Sequence, residues 1–171
     1  MLSTPRDCGS RTRERQDVLI ATNVRWLRQA QALLGRLGDD VYATGPAGFA
    51  PHRAGGHLRH ILEFYECFLE GLDSAHIDYD ARRRDLAVET SRTAALARIQ
   101  SLAHRLENTA ALRCDGVLWV RMEDADPRLV RDSFLMSSVG RELQTLSSHT
   151  IHHFALMALT LLAHGVAVEP D

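Results

Sequence analysis

Between Arg141 and His164 the chain runs without a glycine or a proline, so the whole stretch reads as one long helix. Near its middle stand His149, His152 and His153, among Leu146, Ile151, Phe154, Leu156, Met157 and Leu159. Residues four apart on a helix lie on one face, one turn from each other. His149 and His153 therefore aim two imidazoles at one point, while His152 points roughly 60° to the other side of His149. Such a pair is the helical way to offer two nitrogen ligands to one metal. Histidines on helices are often surface groups or hydrogen-bonded core groups. In so apolar a helix, however, polar rings need partners, and a metal satisfies two at once. The histidines also interrupt the apolar run, which makes it a core helix rather than a membrane span.

A chain of 171 residues has room for one domain with a real core. The expected division is a loose tail over residues 1–14 and a single domain over residues 15–171. The tail is polar and Arg-rich, with no apolar stretch typical of a secretory signal, so a cytoplasmic location is expected. A net charge of −2 gives no electrostatic ground for binding nucleic acid or an anionic membrane. Every cation apart from histidine is arginine, and the absence of lysine excludes Schiff-base chemistry. Cys8, Cys67 and Cys114 are odd in number and far apart, which fits reduced thiols rather than a disulfide framework or a cysteine zinc site.

Three more helices are legible. Val18, Leu19, Val24, Leu27, Ala30, Leu34 and Leu37 recur at three- and four-residue steps over 15–37. Gly45-Pro46, Gly48 and Pro51 mark a connector over 39–56. A second helix follows over 56–72, with Leu58, Ile61, Leu62, Tyr65, Phe68, Leu69 and Leu72 as its stripe and Arg59, Glu63, Glu66 and Glu70 as its wet face. Residues 76–85 are charged and read as a loop. A third helix is expected from Thr90-Ser91 to Asn108, then a short hairpin turning at Asp115-Gly116 between Leu112–Cys114 and Val117–Met122. Pro127 breaks the chain before the last helix, which is expected to start at Ser133 or Leu135. Four long helices with connectors predict an all-α, up-down four-helix bundle.

Catalytic zinc sites commonly have three protein ligands and an open position. The second helix offers His57 and His60 for the third place. Counting 100° per residue, His57 lies about 50° and His60 about 110° from the centre of the apolar stripe, which favours His57 as the inward one.

A helix with His-x-x-His-Ile near its start, followed by a last helix with His-Thr-x-x-His, resembles the DinB-like metalloprotein superfamily, YfiT-like proteins and thiol-dependent transferases among them. The likeness covers residues 15–165. It implies a four-helix bundle holding a divalent metal on three histidines, here His60, His149 and His153. His57 and His152 then become neighbours that hydrogen-bond a ligand ring, contact the substrate in the pocket, or do neither. The likeness also implies a use for the metal, activating a low-molecular-weight thiol for attack on an electrophilic substrate.

Spacing sets other bundles aside. Di-iron carboxylate proteins need Glu-x-x-His pairs, and this chain has none. Hemerythrin-like proteins resemble it in helix count but want His-x-x-x-Glu, where Phe64 and Ile61 stand. No Gly-x-Ser-x-Gly elbow exists. Three neutral imidazoles leave a bound cation its full Lewis acidity, able to lower the pKa of water or hold a thiolate. Imidazole suits zinc, nickel and iron alike, with zinc the first expectation. The other class of function is a non-catalytic bundle that binds a metal or small molecule. No residue is assigned as a catalytic group.

Some residues have weaker claims. Glu142 lies two turns before His149, about 10 Å along the axis, and could line the pocket or support a ligand ring, though an ion pair beside Arg141 is the plainer expectation. Cys67 reads as a small buried hydrophobe. Trp119 and Tyr79 sit in connectors that could cap a pocket, and Arg82-Arg83-Arg84 reads as a solvated run. Two-fold assemblies being the commonest, a homodimer is the expectation for quaternary structure.

Overall fold

A computed structural model of the protein describes residues 9–48, 52–122 and 134–167. Cys8, Pro51, Pro127 and Ser133 lie outside the described residues, as do residues 1–8 of the expected tail. The described chain is mostly helical, with six helices and a small sheet: α1 (Ser10–Leu34), α2 (Asp39–Ala43), α3 (Ala54–Gly71), β1 (His76–Asp78), α4 (Leu86–Thr90), α5 (Arg92–Asn108), β2 (Val117–Arg121), β3 (Leu135–Ser138) and α6 (Val139–Ala163). Helix α1 begins five residues before its expected start, and α2 and α4 lie in stretches read as connectors or helix approaches.

Local chemistry accounts for the ends. Ser138 caps α6 by accepting from the Arg141 N–H, and Ser91 caps α5 by accepting from the Ala94 N–H. Helix α6 stops at Gly165, whose φ of 77° suits glycine. There the Val166 N–H donates to the Leu161 carbonyl and the Gly165 N–H to the Leu162 carbonyl, both at 2.9 Å, a Schellman closure.

The four long helices close a ring in the order α1, α5, α3, α6. Their directions follow from the side chains that meet. Helices α1 and α6 are parallel: Asn23 Nδ2 donates to the Leu143 carbonyl (3.0 Å) and Trp26 Nε1 to Ser147 Oγ (2.8 Å). Helices α3 and α6 are antiparallel, with His57 against His153 and Phe64 against His149. Helices α1 and α5 are antiparallel, since Arg92 meets the Leu34 carbonyl (2.9 Å) and Arg28 meets Glu107 (2.6 Å). Helices α3 and α5 are parallel: Gly55 lies against Glu89, just ahead of α5, and Glu66 pairs with Arg98.

The long helices thus run up, down, down, up, which corrects the expectation of strict alternation. The connector between α3 and α5 explains it. To start a parallel helix the chain must return the length of α3, about 27 Å. It does so alongside α3, where the Asp85 N–H donates to Glu63 Oε1 at 2.7 Å.

The expected Asp-Gly hairpin is also corrected. Leu112 sits in a 3₁₀ turn (Ala110–Arg113) rather than a strand. Strand β2 pairs in parallel with β1, His76 opposite Trp119, and antiparallel with β3, Val117 opposite Ser138. Asp115 is drawn to the start of α6 instead, accepting from the Gly140 N–H (2.7 Å) and pairing with Arg15 (3.2 Å). Residues 135–138 belong to β3, so α6 starts later than expected. Likewise 76–78, read as loop, form β1.

One polar pin crosses the core. Tyr65, fully buried on α3, donates to Asn23 Oδ1 on α1 (2.7 Å) and lies 3.2 Å from the Thr150 hydroxyl on α6. Buried polar groups matched this way specify which side chains face one another. Thr150 follows His149, so the pin also orients the histidines of α6.

Candidate metal centre

His60 on α3 and His149 and His153 on α6 converge. Ring centroids are 4.9 Å apart for His60–His149, 4.6 Å for His60–His153 and 4.5 Å for His149–His153. One donor atom from each residue lies within 4.8 Å of the other two, and all three side chains are half-buried. His57 stands outside this set, with its Nδ1 3.2 Å from Nδ1 of His153. The count of 100° per residue favours His57 because it centres α3 on one apolar stripe. In fact α3 packs against α6, α5, α4 and β1, so it buries far more than a stripe. Phe64 is buried, and so are Glu63 and Glu66, which corrects their placing on a wet face. Glu63 pairs with Arg59 (3.1 Å), and Glu66 with Arg98.

The donor set suits a cation. Burial, then the neighbouring rings and Arg82, push His60 and His149 down to about 4. Burial and the surrounding histidines do the same to His153, and burial lowers His57. All are neutral at pH 7, as ligands must be. Among the described residues Nδ1 of His149 is buried without a hydrogen-bond partner, a cost that coordination through that atom would remove. Nitrogens held roughly 2.0–2.1 Å from one zinc ion lie about 3.3 Å apart. The three donors, within 4.8 Å of one another, would have to draw closer to hold one ion. If His153 donates its Nδ1–H to His57, its Nε2 lone pair remains for the cation, the usual way a ligand imidazole is held in one tautomer.

A pH dependence follows. The unfolded chain takes up protons on these rings near pH 6.5. The folded chain resists until about pH 4 at His60, His149 and His153. The unfolded state binds more protons across that window, so stability is held above it and lost as pH falls through it. Thermal melting of the metal-free protein should show Tm falling from pH 6.5 to 4, and falling less in a variant with all three rings replaced by Ala.

The surroundings were less legible. Phe64 forms the floor, stacked on His149 (centroids 4.1 Å) and on Tyr79 (4.8 Å). Tyr79 is fully buried and donates to Glu142 Oε2 (2.8 Å), and Ser137 Oγ donates to Glu142 Oε1 (2.6 Å). Glu142 is therefore a buried acceptor, not a surface ion pair beside Arg141. Arg82, expected to be solvated, lies 4.7 Å over the Phe64 ring and donates to the Tyr79 carbonyl (2.6 Å). Arg83 keeps the expected exposure, paired with Glu70. Sequence reading missed Phe64 and Arg82 because neither belongs to a ligand pattern. The one available signal was that Phe64 lies a single turn beyond His60.

No family model matches the chain, and no solved structure does. It is 31% identical over 94 residues to FK506-binding protein 5 of Rhizopus delemar, across 54% of this chain and 24% of that protein. The chain thus spans about a quarter of the curated relative it matches. An overlap of that extent sets no family, and the histidine centre remains the ground for a functional reading.

The other candidates fall into place around the centre. His152 is exposed at its edge, its ring 5.3 Å from that of His153. Trp119 is part-exposed on β2. Among the described residues neither Cys67 nor Cys114 is in a disulfide, and burial and Glu70 push the Cys67 thiol up to about 11. Cys67 is therefore protonated at neutral pH and no nucleophile. No helix among the described residues is long and apolar enough to cross a membrane.

Proposed function

We propose that this chain is a DinB-like divalent-metal-binding four-helix bundle that carries out thiol-dependent transfer in the cytoplasm. The observation supporting it is the meeting of His60, His149 and His153 donor atoms within 4.8 Å of one another. A bound zinc, nickel or iron ion would supply Lewis acidity that favours thiolate over thiol. The rest falls to the chain. His57 holds the His153 ring, Phe64 shields one side of His149 from water, and Arg82 adds positive charge. The thiol in this reading is an external one, since Cys67 is held protonated. In the transfer the thiol loses its proton to solvent, its sulfur bonds to the electrophilic carbon, and the leaving group departs with the bonding pair.

A non-catalytic metal-binding bundle is the second reading. It is favoured by the engagement of the nearby carboxylates, Glu142 with Tyr79 and Ser137 and Glu63 with Arg59 and the Asp85 N–H. The test uses protein prepared without a histidine tag, loaded with zinc, and offered a panel of small thiols with an alkyl halide. We expect loss of the electrophile to depend on both thiol and metal. A zinc-bound protein inert to the whole panel would establish the binding module instead.

A further inference from the structure

Beside the histidine centre lies a cleft of about 390 Å³, large enough for a small organic molecule. Pro46, Leu156, Leu159 and Ala163 give its apolar walls, and His52 and His57 also line it, with His57 on the side of the centre. Thr160 also borders it, but its hydroxyl donates to the Leu156 carbonyl (3.0 Å). No arginine, aspartate or glutamate lines it among the described residues. Cleft and centre share a wall, because His57 lines the first and touches His153 of the second. The charged groups lie elsewhere, with Arg82 over the Phe64 ring.

We propose that this cleft binds the uncharged, apolar body of the electrophilic substrate, its reactive end reaching the histidines past His57. The assignment rests on the thiol-transfer reading for the substrate's role, though not for the binding itself. Small soluble thiols carry polar or charged groups, which these walls cannot match. An apolar body gains from leaving water here, whereas a buried carboxylate would stand unpaired.

The experiment uses the full chain and the neutral dye Nile red. Leu159 is 65% exposed at the rim and Leu162 is 56% exposed on the same helix but outside the cleft, so an acid at either should leave the core packed. Leu159→Asp should raise the Kd for the dye about tenfold, and Leu162→Asp should leave it within twofold, as expected for losing one apolar wall. Benzyl acetate should displace the dye at lower concentration than benzoate. Equal weakening by the two variants, no weakening by Leu159→Asp, or displacement by benzoate at equal or lower concentration would overturn the assignment. Zinc uptake by the same samples keeps the two readings apart. Dye binding without zinc uptake removes the metal-dependent transfer and leaves the cleft, while zinc uptake without dye binding removes the cleft alone.

Discussion

Replacing His60, His149 or His153 by alanine should each weaken zinc binding by more than a hundredfold, while His152→Ala should change it by less than about threefold. The difference comes from what each ring meets. The first three bring a nitrogen each to one point, within 4.8 Å of one another, whereas His152 lies exposed beside them. Losing a residue that only supports a ligand costs about ten- to a hundredfold in metal affinity, and losing a ligand costs more. His57→Ala belongs to that milder range, since its ring touches His153 at 3.2 Å without joining the set. Competitive titration with a chromophoric chelator measures all five variants. A larger loss at His152 than at His153 would mean that α6 is turned on its axis relative to α3. A larger loss at His57 than at His60 would hand the third ligand to the residue that the apolar stripe favoured.

The largest effect on stability should come from Gly55→Ala. A Cβ at this position would lie 2.0 Å from the Glu89 carbonyl oxygen and 3.0 Å from Cε1 of Tyr42. Neither neighbour can yield easily. The oxygen belongs to the backbone of α4, and Tyr42 is fully buried with its hydroxyl donating to the Val88 carbonyl. Overpacking of this kind costs about 3 kcal/mol, which lowers Tm by about 6–12 °C in a domain of this size. Gly56→Ala is the control. Its Cβ would meet Arg53 Cγ at 3.5 Å and the Glu89 carboxyl at 3.9 Å, all ordinary contacts with side chains. Alanine outranks glycine in a helix, so that variant should gain up to about 1 kcal/mol. Calorimetry on both separates steric conflict from helix propensity. Equal melting temperatures would show that α4 does not rest on Gly55.

What the sequence disclosed and what it hid have physical causes. The four long helices were legible because each repeats apolar residues at helical spacing, and α6 above all because nothing interrupts it. The histidine pair on α6 was legible because a four-residue step fixes a shared face. The helix directions were hidden, because a connector as long as 72–91 can either turn back at once or travel the length of α3. The sheet was hidden too. Asp115-Gly116 carries a hairpin signal, but Asp115 has a stronger partner in the Gly140 N–H, and β1 draws its three residues from a charged stretch. Glu63, Glu66 and Glu142 misled because a carboxylate in sequence reads as wet. In the fold each is buried with named donors. The choice between His57 and His60 turned on which side of α3 faces α6, and a helix covered on most sides gives no clear answer from its own residues.

The three histidines come from only two of the four long helices, and these are antiparallel and far apart in sequence. Sliding either one by a single residue shifts its rings about 1.5 Å along the axis and swings them about 100° around it. The trio would then come apart. A cation gripping it would act as a latch that accepts a single alignment of two rods, so an ion held here would report on the seating of the whole molecule.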